Sequence, residues 1–317
     1  MEYITLGHSA LRVSRLCVGG CPMGGYGWGS VEEQELLDTV NTALDQGINF
    51  FDTADTYGLG QSERTLGKAL GGRRPEAVIA TKFGVRVENG RTFYDNSPQW
   101  VRSACENSLK RLGTDYIDLY QIHYRDGVTP IADVLEVLEQ LRGEGKIRYF
   151  GLSNIHREDI PELENFRGKF LSFQNQYSLA CRDFEQEIVE LSEKLDMTPM
   201  TWGSLGQGIL TGKYDKNVTF GSDDRRSRAI YVNFHGEKLL KNLEIVEKMR
   251  QIAQVCGKPV SAVAVRFILD YLPGSVVLCG AKRPAQILET GKSLGWQLAA
   301  EELKQLDEIS RYDTGKN

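Results

Sequence analysis

The sequence lacks the signals that mark several classes of protein. None of the six cysteines forms a CxxC pair, and no histidine follows at zinc-binding spacing. There is no run of about 18 apolar residues, so no membrane span is expected, and the N-terminal stretch lacks the charged-then-apolar order of a secretory signal. The net charge is −5 with both signs mixed, which leaves no basic stripe to neutralise nucleic-acid phosphates. These absences predict a cytoplasmic protein with reduced cysteines and without a metal, membrane or nucleic-acid partner.

A glycine-rich dinucleotide fingerprint is also missing. The pairs Gly19-Gly20 and Gly24-Gly25 do not form GxGxxG, and the first strand runs into a loop instead of a tight turn into a helix. This argues against an open doubly wound sheet. We expect these glycines to let the first loop approach a ligand; for Gly24 and Gly25, a plain flexible loop is an equal alternative.

What the sequence does contain is a regular alternation of apolar runs and helical patterns. The apolar runs are rich in Val, Ile, Leu and Phe, as burial on both faces of a parallel sheet requires. They predict strands at 15–19, 48–51, 77–81, 116–122, 148–152, 171–174, 198–202 and 275–278. Eight strands alternating with helices predict an α/β protein, a closed (β/α)₈ TIM barrel, formed as one domain over residues 1–317.

Other segments fit around this barrel. Segments 3–6 and 11–14 predict an N-terminal β-hairpin that caps the barrel floor, and two extra helices are expected near 236–256 and 300–310. Ser30 with Glu33, Ser97 before Pro98, and Thr129 before Pro130 predict helix starts. The long polar stretch 208–234 is expected to be functional, with a disordered insertion as the alternative.

Four residues with complementary chemistry follow consecutive predicted strands. Asp52, Lys82 and His123 stand at the ends of strands two, three and four, and Tyr57 lies in the loop after Asp52. In barrels of this kind the chemistry sits at the carboxyl ends of the strands. An ammonium beside a tyrosine is expected to lower the tyrosine pKa and ease proton release to a carbonyl, with the acid orienting the lysine. Each residue taken singly also has a structural interpretation, but their joint placement favours catalysis.

Six segments of the chain resemble those of a known family. The segments FFDTADTYG, VIATKFG, DLYQIHYRD, GLSN, LGQGILTGKY and GAKRPAQILE, in this order, are similar to the signature blocks of the aldo-keto reductase superfamily, in its bacterial and plant branches. The resemblance implies that Asp52, Tyr57, Lys82 and His123 form the catalytic tetrad, with Tyr57 as proton donor. It further implies cofactor contacts from Gly20, Ser153, Asn154, Gln174, Trp202, Leu205, Gln207, Gly208, Leu210, Lys213, Gly280, Lys282, Arg283, Gln286, Glu289 and Thr290.

Three positions depart from the family pattern. Trp202 replaces the tyrosine that usually stacks on the nicotinamide, Tyr124 replaces a frequent tryptophan, and Thr290 replaces an asparagine near the adenine. An indole can stack as a phenol does. Lys282 and Arg283 precede a helix that opens at Pro284, where a phosphate would be well received. We therefore expect NADPH, with NADH as the alternative; simple solvation of both cations is the competing interpretation.

The substrate is expected to be a small, sugar-like carbonyl compound, because a pocket lined by polar and aromatic residues suits a sugar, an inositol or a modified sugar better than a steroid. The candidates are Met23, Tyr26, Trp28, Tyr124 and Arg226. The arginines of the long stretch could instead pair with neighbouring aspartates on the surface.

Three functions compete at this stage. The first is an NAD(P)H-dependent carbonyl reductase, an oxidoreductase. The second is an NADP(H)-binding regulatory or sensor subunit with little turnover. The third is an isomerase in which Lys82 forms a Schiff base. The physiological substrate, the direction of the reaction and the oligomeric state stay open.

Overall fold

The structure is a computed structural model that describes residues 1–25, 27–29 and 31–311. The predictions for Tyr26 and Ser30 fall outside these residues. In chain order, the strands are β1 Tyr3–Thr5, β2 Arg12–Ser14, β3 Leu16–Gly19, β4 Phe50–Asp52, β5 Val78–Phe83, β6 Val85–Glu88, β7 Arg91–Tyr94, β8 Ile117–Ile122, β9 Ile147–Ser153, β10 Phe170–Gln176, β11 Thr198–Trp202 and β12 Val276–Gly280.

The α-helices alternate with the strands and surround them. They are α1 Glu33–Asp45, α2 Gln61–Leu70, α3 Pro98–Leu112, α4 Ile131–Gly143, α5 Ile160–Leu163, α6 Glu185–Leu195, α7 Gly236–Cys256, α8 Val260–Tyr271, α9 Pro284–Gly291 and α10 Ala300–Ser310. Short 3-10 turns lie at Cys21–Gly24, Gly71–Glu76, Arg157–Asp159, Glu164–Phe166, Gly206–Thr211, Arg225–Ser227 and Val232–Phe234. The two extra helices, α7 and α10, are where the sequence predicts them.

Eight parallel strands close into a barrel, as predicted. Around the ring the order is β10, β11, β12, β3, β4, β5, β8 and β9. Two strand ends differ from the prediction in a way that matters for the site: β4 ends on Asp52 and β5 extends to Phe83. Asp52 and Lys82 are therefore strand residues, held by ladder hydrogen bonds and not by a loop.

The barrel interior has its own apolar core, separate from the core between strands and helices. The inner cluster comprises Leu6, Leu11, Val13, Cys17, Phe50, Ala80, Leu119, Leu171, Met200, Val276 and Leu278. The first three of these come from the β1–β2 hairpin, which confirms that the hairpin closes the floor. The backbone NH of Gly7 donates to Thr198 Oγ1 (2.9 Å). A Cβ at Gly7 would stand 2.8 Å from the Leu171 carbonyl oxygen, so glycine permits this close seal.

The predicted helix starts have different outcomes. Ser97 caps α3 by accepting from the backbone NH of Trp100 (3.4 Å), with Pro98 in the first turn. The prediction for α4 is wrong by one residue: Pro130 itself is the N-cap, and the Thr129 hydroxyl donates to Asp126 instead. Helix α1 begins at Glu33 after Glu32, so Glu33 is not the third residue of a capping box.

Two segments, 208–234 and the β6–β7 hairpin, have structure that the sequence pattern does not reveal. The stretch 208–234 is not a disordered insertion: Tyr214, Phe220 and Phe234 pack edge to face at centroid distances of 4.9 to 5.7 Å. The hairpin β6–β7 was not predicted. Its turn is Asn89-Gly90, both with positive φ (50° and 74°), which is the backbone of a two-residue hairpin turn.

Among the residues placed by the structure, no single helix is long and apolar enough to cross a membrane. Only α7 and α8 taken together reach that length and composition, and they are bent by 94° at their junction.

Candidate active site

A cavity of about 470 Å³ opens at the carboxyl ends of the barrel strands. It is lined by strand ends and by the loops that follow them, which is where barrels of this class place their chemistry. The lining residues are Gly19, Gly20, Cys21, Pro22, Trp28, Asp52, Tyr57, His123, Tyr124, Ser153, Asn154, Gln174, Trp202, Gly203, Ser204, Leu205, Gln207, Gly208, Thr211, Lys213, Arg225, Arg226, Tyr231, Leu278, Cys279, Gly280, Lys282 and Gln286.

A buried ion pair forms the base of this cavity. Lys82 Nζ donates to Asp52 Oδ1 (2.5 Å) and to the Thr53 carbonyl oxygen (3.0 Å). The other carboxylate oxygen of Asp52 accepts from the side-chain amides of Gln121 (3.0 Å) and Gln174 (2.9 Å). Both charged side chains are almost completely buried, at 0% and 2% exposure. A pair this well satisfied holds the ammonium in one place.

Tyr57 and His123 stand above the ion pair. Lys82 Nζ is 5.2 Å from the centroid of the Tyr57 ring, and that ring meets the His123 ring edge to face at 5.8 Å. Burial lowers the pKa of His123 well below its usual range, and the Lys82 charge lowers it further. His123 is therefore a neutral imidazole at pH 7, able to donate or accept a hydrogen bond.

The direction of the Tyr57 pKa corrects a sequence-based expectation. Burial raises this pKa well above its usual range, and the neighbouring Cys21 and Asp52 raise it further. The expected lowering by the ammonium does not prevail, because the loss of hydration of the phenolate outweighs it. Tyr57 is thus a fully protonated phenol at neutral pH, with a cation close to its ring.

The loop that carries Tyr57 is held by close packing against the first loop. Ser62 Oγ donates to the Gly20 carbonyl (2.7 Å) and accepts from Thr53 Oγ1 (2.7 Å). A Cβ at Gly24 would lie 2.7 Å from the carbonyl carbon of Tyr57. Gly24 is therefore required for this contact, and the alternative of a plain flexible loop does not hold for it.

Amide and hydroxyl groups at the ends of β9 and β10 face the same cavity. Asn154 Nδ2 donates to Ser153 Oγ and to the His123 carbonyl (both 3.0 Å), and Ser153 Oγ donates to the Gln174 carbonyl (3.0 Å). Asn154 holds a positive φ of 53°, which turns its side chain back across the strand ends. These groups stand where a neutral amide could be held by paired donors and acceptors.

The segment after β11 forms another wall. Trp202, Leu205, Gln207 and Gly208, which the family resemblance assigns to the cofactor, line the cavity. Gln207 and Gly208 both adopt positive φ (55° and 106°), so the chain curls around the cavity. Leu210 does not line it: the side chain is completely buried in the core between barrel and helices, because the helical turn there points it inward.

Basic side chains gather near the start of α9. Lys213, Arg226 and Lys282 line the same cavity. Burial lowers the pKa of Lys282, and the charges of Arg226, Lys213 and Arg283 lower it further. Lys282 Nζ donates to the Trp28 carbonyl (2.5 Å). A cluster of cations beside a helix N-terminus attracts a phosphate group.

Besides Leu210, three more residues predicted to contact the cofactor do not line the cavity. Arg283 pairs with Glu35 of α1 (3.1 Å), Glu289 accepts from Ser261 Oγ (2.5 Å), and Thr290 donates to the carbonyl of Gln286 (2.8 Å). Each is drawn to a neighbouring helix or its own helix backbone. Gln286 does line the cavity, and its side-chain oxygen accepts from the backbone NH of Lys282 (2.7 Å).

The predicted substrate residues also divide. Trp28, Tyr124 and Arg226 line the cavity, and Arg226 pairs with Asp224 (2.6 Å) and donates to the Tyr214 hydroxyl (2.7 Å). Met23 does not: it is 2% exposed, because the 3-10 turn directs its side chain into the core.

Several lining residues escaped the sequence analysis. Cys21 directly follows the Gly19-Gly20 pair, and its place in the first βα loop was a usable signal that it lines the cavity. Tyr231 comes from the long stretch 208–234, and its ring centroid lies 6.4 Å from that of Trp28 in an edge-to-face arrangement. Burial raises the pKa of Cys21, which keeps it a thiol. Over the described ranges, no group of three or more His, Cys, Asp or Glu side chains is arranged to hold a metal ion.

The chain is similar to known proteins along most of its length. Residues 15–311 match the model of the aldo/keto reductase family. The aldo-keto reductase YhdN of Bacillus subtilis is 36% identical over 98% of this chain and 93% of that protein. The NADH-specific methylglyoxal reductase of Escherichia coli is 32% identical over 94% of this chain and 95% of that protein. The solved structure of a glycerol dehydrogenase from Gluconobacter oxydans has a TM-score of 0.88 and 34% identity, covering 97% of this chain and 94% of that one.

Proposed function

This chain belongs to the aldo/keto reductase family, oxidoreductases that act on carbonyl compounds, and on that premise we propose that it reduces an aldehyde or ketone to an alcohol with NADPH, using Tyr57 as the proton donor. The observation that carries the proposal is the group of four side chains at the base of the cavity. A phenol and a neutral imidazole face the open space, and a buried Asp52–Lys82 pair supports them from below.

The cavity residues fit a nicotinamide dinucleotide. The amide and hydroxyl groups of Ser153, Asn154 and Gln174 suit a carboxamide, and Trp202 presents an indole whose Nε1 has no hydrogen-bond partner among the described residues. At the other end, the cations around Lys282 suit phosphate groups. When bound, the dinucleotide supplies a hydride to the carbonyl carbon.

The protein residues control the proton and the carbonyl. As negative charge develops on the carbonyl oxygen, the Tyr57 hydroxyl donates its proton to that oxygen. The phenolate that forms lies beside the Lys82 ammonium, which stabilises it only once its charge appears. Neutral His123 can donate a hydrogen bond to the same oxygen and orient it without adding a competing positive charge. Asp52 keeps the ammonium fixed throughout.

We favour NADPH over NADH because several cations share the phosphate end of the cavity. Lys282, Lys213 and Arg226 line the same cavity, and a group of cations favours the binding of an additional phosphate. The E. coli relative is named as NADH-specific, so the two nucleotides need to be compared directly. We further propose that Gly20, Leu205, Gln207, Gly208, Gly280 and Gln286 contact the nucleotide, since they line the same wall.

A Schiff base at Lys82 finds little support. Its nitrogen is fully buried, does not line the cavity and already bonds two oxygens. A substrate carbonyl would have to break the ion pair before it reached the nitrogen.

The test compares wild type with Tyr57→Phe and with Tyr231→Phe, a matched change at another tyrosine of the cavity wall. NADPH and NADH binding is measured by fluorescence titration, and turnover is measured on a panel of aldehydes and ketosugars. We expect Tyr57→Phe to bind NADPH as wild type does but to lose about 10²–10⁴-fold in kcat, the usual contribution of a placed general acid. Tyr231→Phe should keep most of its turnover. Absence of nucleotide binding would refute the cofactor assignment, and binding without turnover in wild type would favour a sensor.

A further inference from the structure

Three amide side chains are hydrogen-bonded in a row that runs from helix α7 to the wall of the cavity. Asn242 lies on α7, Asn233 lies in the 3-10 turn Val232–Phe234, and Gln207 lines the cavity. Asn242 Nδ2 donates to Asn233 Oδ1 (3.2 Å), and Asn233 Nδ2 donates to Gln207 Oε1 (2.6 Å). We call these three residues the amide chain.

The two inner members of the amide chain lie in apolar surroundings. Asn242 and Asn233 are 0% and 4% exposed, and neither lines the cavity. Leu239 and Val246, one turn away from Asn242 on either side, are buried, and so is Phe234, which follows Asn233. A buried amide that loses its partners pays for the loss of hydration without compensation. The amide chain is therefore confined to orientations that satisfy every member.

A single backbone carbonyl sets the direction of the amide chain. Asn242 Nδ2 also donates to the carbonyl oxygen of Asn233 (3.1 Å). Because a carbonyl oxygen only accepts, the Asn242 atom beside it must be the nitrogen. The Asn233 side chain then turns its oxygen to Asn242 and its nitrogen to Gln207, so the Gln207 atom at that contact must be the oxygen. Rotating any one of the three amides by 180° would place two donors or two acceptors against each other.

This direction leaves the nitrogen of Gln207 for a ligand. Nε2 lies 3.6 Å from the position that a Cβ on Gly203 would take, and Gly203 lines the cavity together with Gln207. Among the residues that the structure describes, none accepts a hydrogen bond from this nitrogen. The wall therefore offers a neutral donor at this point, which suits an oxygen acceptor on the molecule that fills the cavity.

The neighbours of this donor indicate that the acceptor is a phosphate oxygen. Arg226 Nη1 lies 3.6 Å from the position that a Cβ on Gly208 would take, and Gly208 directly follows the outer member of the amide chain. Along the wall, this point lies between Trp202, at the carboxamide end of the cavity, and Lys282, at the basic end. The pyrophosphate of a dinucleotide joins those two ends. Hydrogen bonds to its charged oxygens are stronger than those to a neutral acceptor.

We propose that Asn233 and Asn242 are positioning residues that hold the Gln207 amide so that its nitrogen donates to a pyrophosphate oxygen of the bound nucleotide. This inference rests on the proposed nucleotide-dependent function. The long stretch 208–234 and helix α7 then contribute to nucleotide affinity from behind the cavity wall. Bonds that only stabilised the fold would not depend on which atom of the Gln207 amide faces the cavity.

The experiment reverses the direction of the amide chain with Asn233→Asp. A carboxylate only accepts, so the Gln207 amide must turn its nitrogen to it, and Oε1 then faces the phosphate. At pH 8, above the ordinary pKa of an aspartate, fluorescence titration should show a Kd for NADPH raised about ten-fold, and a similar factor for NADH, because both nucleotides carry the pyrophosphate. Asn217→Asp adds the same charge at an exposed position of the same stretch and should change Kd less than about two-fold.

A second pair of variants separates the turned amide from a plain effect of the added charge. Gln207→Ala alone should raise the Kd about three-fold, the loss of one hydrogen bond. In the Gln207→Ala background, Asn233→Asp should add less than about two-fold, because no amide is left to turn. With saturating NADPH, kcat on an aldehyde should stay within about two-fold of wild type in Asn233→Asp, while KM for NADPH rises, since the four catalytic side chains are untouched.

Circular dichroism first establishes that each variant folds. Should Asn233→Asp fail to fold, Asn242→Leu takes its place in the same cycle. Leucine has a similar volume but removes the anchor, so the two outer amides can adopt both orientations and the Kd should rise about two- to four-fold, an increase that disappears in the Gln207→Ala background.

The outcomes separate this inference from the proposed function. If wild type binds NADPH and the Kd values of the variants equal that of wild type, or if Asn233→Asp has the same effect with and without Gln207, the inference is overturned and the proposed function stands. An effect on NADPH without one on NADH would assign Gln207 to the 2′-phosphate and overturn the pyrophosphate contact. If wild type binds neither nucleotide, the proposed function fails and this inference fails with it.

Discussion

The Asp52–Lys82 pair allows a prediction in which a second substitution repairs part of the damage of the first. Lys82→Met removes the ammonium that bonds Asp52 Oδ1 and the Thr53 carbonyl. The carboxylate then stays buried, with only the side-chain amides of Gln121 and Gln174 to stabilise its charge. Breaking one partner of a buried pair typically costs about 3–5 kcal/mol, and we expect Lys82→Met to lower the free energy of unfolding by that amount.

Adding Asp52→Asn to Lys82→Met should restore stability. The neutral amide no longer needs the missing cation, and its oxygen still accepts from a glutamine, so we expect a recovery of about 2 kcal/mol. In the wild-type background the same Asp52→Asn change should instead be destabilising, because it leaves the Lys82 ammonium without its counter-charge. The effect of one substitution therefore changes sign with its background.

Urea unfolding of the four proteins at pH 7, followed by circular dichroism, measures this cycle. Turnover should be strongly reduced in all three variants, so stability and activity are recorded separately. The reasoning is refuted if Lys82→Met lies within about 1 kcal/mol of wild type, or if Asp52→Asn is equally destabilising in both backgrounds.

Three further predictions concern the surroundings of the pair. Gly24→Ala should lose about 1–3 kcal/mol of stability and much of its turnover, because its Cβ would collide with the backbone at Tyr57. Gly25→Ala has open space around its Cβ and should lose only about 1 kcal/mol of stability, because of its positive φ. Thermal unfolding and kcat measure both effects. Burial raises the pKa of Asp55 to about 8, so the folded protein keeps this proton between about pH 4 and 8 while the unfolded chain releases it. Asp55→Asn should therefore gain stability relative to wild type as pH rises through that range and gain no more above it; a constant difference would contradict the assignment. Lys282→Ala should raise the Kd for NADPH about ten-fold and make binding less sensitive to salt. Fluorescence titration at several salt concentrations measures both effects. An unchanged Kd would show that Lys282 does not contact a phosphate.

The sequence predicts the barrel and the four central residues because both depend on strand position. A buried parallel strand has a near-continuous apolar run, and the residue that ends it must face the carboxyl rim. Asp52, Lys82 and His123 follow from that rule alone, and the family motifs add Tyr57. The Asn89-Gly90 turn was a readable hairpin signal, yet the strands beside it are short and interrupted by charges, so periodicity did not reveal them.

Other features depend on contacts between distant segments, which a single sequence does not show. The Gly24 contact joins residues more than thirty positions apart. Arg283 turns towards Glu35 of α1, and Met23 turns into the core, because of how neighbouring helices pack. The pKa of Tyr57 rises because of burial, and burial is set by the closed cavity and not by the residues next to it in sequence.

The β1–β2 hairpin has a consequence for proton exchange. It fills the floor of the barrel with apolar side chains, and Leu6 is completely buried there. Within the described residues, this apolar packing separates the Asp52–Lys82 pair from solvent at the floor, while the cavity opens at the mouth of the barrel. In the proposed mechanism a nucleotide would occupy that mouth, and the proton given up by Tyr57 would be replaced through the space that the product vacates. Reprotonation of Tyr57 would then depend on the exchange of ligands at the mouth of the barrel.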